Sequence, residues 1–175
     1  MNPAQGTDMT KSEALTLFRY DAWAFGRVLE VAMTLTEEQY TRNLGASFGS
    51  VRGTLVHIHA AQQIWLDRWL GTVAGPLLNE QDIPTRADLQ ARHEKLHGEF
   101  RQFVEELTDQ RLNETITYKD SQGREYTQTL YRLFQHLINH GTYHRGQLTF
   151  LFRLLGAKPL NTDLVNFYRH HDVQL

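Results

Sequence analysis

Histidines at four-residue spacing are the side chains here whose type and placement could do chemistry. Nine His in 175 positions would give about 0.5 His-x-x-x-His pairs by chance. The chain has three, at 93/97, 136/140 and 140/144. Residues four apart stack on one helix face, about 5 to 6 Å between Cβ atoms, so two imidazoles can converge on one cation. With no Cys in the chain, a disulfide, a thiolate zinc site and a Cys nucleophile are excluded, and any transition-metal site must use His with Asp or Glu.

The elements that must position these residues read as helices. Thr10 and Glu13 form a capping-box pair ahead of Leu15, Phe18, Ala22, Phe25, Leu29 and Met33, which share one face. Thr36 to Gln39 repeats the cap over a short turn, and Gly45 to Gly49 reads as loop. A second helix runs from about Ser50 to Leu70, where Gly71 stops it. Residues 71 to 84 form a connecting loop; Thr85 opens a third helix carrying Leu89, Leu96, Phe100, Phe103, Val104 and Leu107. Alternation between Thr115 and Thr127 around an Asp120 to Gly123 turn predicts a short β-hairpin. The fourth and longest helix runs from about Thr129 to Leu155, ended by Gly156 and Pro159. The expectation is an all-α single domain over 1–175, a four-helix bundle with a hairpin before its fourth helix.

On the fourth helix the apolar stripe is Leu130, Leu133, Leu137, Leu148, Leu151 and Leu155, and His140 and His144 fill its gap. At 100° per residue His144 lies about 10°, His140 about 50° and His136 about 90° from the stripe centre. Two inward histidines at ligand spacing are costly to leave unpaired, which favours a metal over two hydrogen-bonded core histidines. His57 and His59 both lie about 100° from the apolar direction of the second helix, so period does not choose between them. Small neighbours (Ser50, Gly53, Thr54, Ala61) favour His57 slightly, and His93 is a rival third ligand.

His93-Glu94-Lys95-Leu96-His97 reads as H-E-x-x-H, the zincin pattern of two zinc ligands and a general base. Glu94, however, lies about 130° from the helix's apolar stripe, and Phe100 replaces the Gly of the metzincin extension. A partly buried His93 beside a solvated Glu-Lys face is the stronger reading, with a metallopeptidase as a low alternative. A di-iron centre would need a second Glu-x-x-His, and only Glu94/His97 supplies one.

The 18 Lys and Arg against 20 Asp and Glu give a formal charge of −2, which argues against a nucleic-acid partner. The polar N-terminus and the lack of a long apolar run predict no membrane association and a cytoplasmic location.

Leu17-Phe-Arg-Tyr-Asp-Ala-Trp23, Leu55-Val-His-Ile-His59 with Trp65-Leu66, and Asn139-His-Gly-Thr-Tyr-His-Arg-Gly-Gln147 resemble the DinB/YfiT-like family of DNA-damage-inducible four-helix proteins, in the same order along the chain. The resemblance implies an up-down-down-up bundle and a divalent metal held by His57, His140 and His144. Asp21 stands where the family often has Asn. Three imidazoles leave an open position, as in catalytic sites, and zinc, nickel and iron all suit them. Such a centre can activate water for hydrolysis or a thiolate as nucleophile. The resemblance leans to a thiol S-transferase acting on a small-molecule substrate, with a low-molecular-weight thiol as partner, and implies a homodimer. A metal-binding stress-response protein without turnover is the alternative.

Around the metal, His136, Gln147 and Arg145 are supporting or pocket candidates, and Arg145 could instead sit in an ion pair. Asp21, Asp67 and Tyr143 are candidate bases. Trp23, Trp65, Trp69 and Phe134 could wall a pocket, although aromatics at this spacing are usually core. Arg169-His-His171 reads as a mobile tail.

Overall fold

Each of the first three long helices begins at a hydroxyl that caps a free backbone N–H. The computed structural model describes residues 9–72 and 75–171. Thr10 accepts from Glu13 N (3.2 Å) and the Glu13 carboxylate accepts from Thr10 N (2.7 Å), which starts α1, Lys11–Met33. A second capping box at Thr36 precedes the short α2, Glu37–Thr41. Ser50 caps α3, Val51–Leu70, and Thr85 caps α4, Arg86–Glu106. After α5, Asp109–Asn113, the strands β1, Thr115–Lys119, and β2, Glu125–Thr129, pair antiparallel from Thr115↔Thr129 to Lys119↔Glu125. The chain passes directly from β2 into α6, Leu130–Leu154.

The helices α1, α3, α4 and α6 form the expected bundle. Apolar residues late in α1 (Phe25, Val28) cluster with those early in α3 and α4 (Leu55, Leu89) and late in α6 (Leu151, Phe152). At the other end Phe18 meets Leu66, Phe100 and Phe134. Helices α1 and α6 therefore run one way and α3 and α4 the other, an up-down-down-up order. The parallel α3–α4 pair obliges residues 71–85 to travel back along the bundle, about 30 Å for a helix of this length.

Two short helices, α5 and α7, go beyond the expectation. Arg169-His-His171, read as a mobile tail, is instead the last turn of α7, Leu164–His171, which is held because Phe167 is buried against Tyr20 and Trp23. Trp69 and Phe134 are core residues, whereas Trp65 sits beside the hairpin, edge-on to Tyr118.

Between the two apolar clusters lies a polar layer. Arg145 donates to Asp21 at 2.5 Å, with side chains 1% and 6% exposed, and Gln62 donates to the other Asp21 oxygen at 2.7 Å. Burial alone would lower the pKa of the guanidinium, but the Asp21 carboxylate outweighs it and raises it. Gly141 makes room for the pair: a Cβ there would lie 2.8 Å from both Arg145 Nη1 and Asp21 Oδ1. Asp21→Ala would strand a buried guanidinium and is expected to cost about 3 kcal/mol or more. Denaturant melts should show that loss, and adding Arg145→Met should restore part of it.

Candidate metal centre

The second turn of α3 supplies His57, and one turn of α6 supplies His140 and His144, on the side where these two helices pack. His140 Nε2 lies 3.0 Å from His57 Nε2 and 3.1 Å from His144 Nε2. Among the described residues this is the one group of three or more His, Asp or Glu whose ligand atoms all fall within 4.8 Å of one another.

The chemistry of these nitrogens fits a cation. A neutral imidazole nitrogen carries either one hydrogen or one lone pair, so His140 Nε2 cannot donate to one neighbour while accepting from the other. His144 Nδ1 donates to Gln147 Oε1 at 2.8 Å, which leaves its Nε2 as a lone pair aimed into the group. Burial, reinforced by the neighbouring imidazoles, pushes His57 and His140 down to about 4, so both are in the neutral, ligating form at pH 7. Gln147 also reaches Ser47 at 3.4 Å, linking the α6 face to the 45–49 loop.

Loops supply the walls. Phe48 stacks on His57 at 3.7 Å and meets His144 edge-on at 5.4 Å. A Cβ on Gly53 would collide with the Phe48 carbonyl and lie 2.7 Å from Glu80 Oε1, so that glycine lets both connections close over α3. A groove of about 640 Å³ adjoins the group, with His57 in its wall beside Phe48, Leu78, Glu80 and Gln81. Phe48 and Glu80 escape sequence reading because they lie in aperiodic loops, marked there only by their Gly and Pro content.

The remaining candidates separate clearly. His136 is exposed, 6.0 Å from His140 between ring centroids, and packs edge-on to Trp65. Tyr143 is 63% exposed and lies edge-on to His144 at 4.9 Å. Arg145 and Asp21 are committed to each other in the polar layer, and Asp67 accepts from Gln63 at 3.0 Å.

His59 and His93 form a different group, in which His93 stacks on Phe25 at 3.7 Å and faces His59 at 6.1 Å and His97 at 4.4 Å. In the H-E-x-x-H run the Glu does not join the two histidines: Glu94 is exposed and accepts from Gln90 at 2.9 Å, while His93 is buried.

The DinB family model matches residues 8–172. The chain belongs to the DinB family. This DinB-family chain is 24% identical over 157 residues to Protein DinB of Bacillus subtilis (strain 168), covering 86% of this chain and 90% of that one. A crystal structure of a DinB-like protein from Bacillus cereus ATCC 10987 shares the fold with a TM-score of 0.63 at 21% identity, covering 83% of this chain and 94% of that chain.

Burial also holds His59 at about 4, and His93 well below the usual imidazole value. An unfolded chain takes up these protons near pH 6.5 and the folded one does not, so stability falls as pH drops from about 6.5 towards 4. His59 alone accounts for about 2 kcal/mol at pH 5. The melting temperature of chelator-treated protein should decline steadily across that window; a flat profile from pH 7 to 5 would contradict the burial of these rings.

Proposed function

We propose that this protein is a divalent-metal-dependent enzyme, a thiol S-transferase or hydrolase, with His57, His140 and His144 holding zinc, nickel or iron. The observation that carries this reading is the groove beside the group: a closed metal store needs no cavity of small-molecule size against one of its ligands. Three imidazoles leave a coordination position for a substrate atom. The metal, when bound, supplies Lewis acidity, stabilising negative charge on a thiolate or an oxygen nucleophile. The chain's own residues hold and shape the site. Gln147 fixes the His144 ring, Phe48 covers His57, and Tyr143 stands at the exposed edge with a hydroxyl available to a substrate.

The lack of Cys means that a thiol in the reaction arrives with the substrate. The resemblance noted from the sequence favours such a low-molecular-weight thiol, acting in the cytoplasm. The exposed Phe150 and Leu154 of α6 support a homodimer through that helix face.

Elemental analysis of protein purified without a His tag is expected to give one zinc, nickel or iron per chain. His57→Ala and His140→Ala should each abolish tight binding. Metal retained by both variants would overturn the ligand assignment, and metal-loaded protein inert towards thiol-plus-electrophile and ester panels would overturn the enzymatic one. Gln147→Leu, which frees the His144 ring, should weaken metal affinity by about tenfold or more in a competition titration with a chromogenic chelator.

A further inference from the structure

A second groove, of about 690 Å³, lies between α1, α4 and α7, across the bundle from the α3–α6 face that carries the three histidines. Its walls are aromatic. Phe18 stacks on His97 at 5.3 Å, and Trp23 packs against Phe167 at 5.6 Å, so aromatic rings from α1, α4 and the C-terminal helix line the groove.

Two arginines line this groove, Arg19 from α1 and Arg101 from α4. Among the described residues neither has an acidic group within ion-pair distance. Glu105, one turn beyond Arg101, also lines the groove, and its carboxylate forms no ion pair with either arginine. Most other arginines of the protein are engaged: Arg42, Arg52, Arg86, Arg111, Arg124 and Arg145 in ion pairs, Arg27 and Arg68 with backbone carbonyls. His97, half-buried in the same wall, has no hydrogen-bond partner among the described residues. Burial lowers its pKa, so at neutral pH it is an uncharged N–H donor.

A planar carboxylate matches a guanidinium in shape and charge, and an aromatic ring matches the wall beneath. We infer that the α1/α4/α7 groove binds a small aromatic carboxylate, its ring against Trp23 and Phe18 and its carboxylate on Arg19 and Arg101. This site is independent of the metal centre and of any reaction there. It also gives the histidine-rich α7, which no part of the metal site uses, a place in the molecule's binding surface.

The probe is 1-naphthaleneacetate, compared by titration calorimetry with its neutral isostere 1-naphthaleneacetamide. The carboxylate should bind saturably at one site per chain, and the amide about tenfold more weakly. Arg19→Gln and Arg101→Gln, both exposed and without an ion pair among the described residues, should each weaken the carboxylate about five- to tenfold without affecting the amide. Glu105→Gln should tighten the carboxylate, and His140→Ala should leave it unchanged. Equal affinity for the two probes, loss in His140→Ala rather than in the arginine variants, or no saturable binding would each overturn the inference.

Discussion

A charged layer crosses the middle of this bundle, and the placement of the helices answers to it. The Asp21 carboxylate and the Arg145 guanidinium have almost no access to water, and each would be a costly isolated charge without the other. Their contact sets the depth and rotation of α6 against α1, and the missing side chain at Gly141 lets them come that close. Gly141 follows His140 and Arg145 follows His144, so whatever fixes the pair also fixes the two imidazoles one turn apart on the neighbouring face. The three-histidine group thus inherits its rigidity from an ion pair that lies outside it.

The same layer explains how the histidines of α3 divide between the neighbouring helices. At the level where the apolar clusters part, α3 presents polar side chains to two neighbours. His57 turns to α6 and meets His140, while His59 turns towards α4 and meets His93. A single apolar direction cannot separate two residues that flank it equally, which is why periodicity left His57 and His59 tied. On α6 the helix has a strong one-sided stripe, and there the inward placement of His140 and His144 was readable from the residues alone. The H-E-x-x-H letters ignore helical angle, and the angle is what demoted them: His93 goes inward and Glu94, one residue on, faces water.

Helix boundaries were also legible, because Thr10, Ser50 and Thr85 each place an oxygen where the first N–H groups need one. The short α7 was not, since eight residues of mixed polarity carry little period of their own, and Phe167 finds its place only against Tyr20 and Trp23. The groove walls were the least legible part. Phe48 and Glu80 act through tertiary contact from connections without a repeat, and the signal that admits them is a glycine on a different element, Gly53.

The two halves of the imidazole group lie far apart along the chain, with His57 and His140 separated by 83 positions. A nascent chain emerging from the ribosome therefore carries His57 through the making of α4, the hairpin and the start of α6 with nothing for it to converge on. The His140/His144 pair, once made, is only half of a centre until α6 docks beside α3. Capture of an ion by all three rings would consequently mark the end of folding rather than guide its beginning.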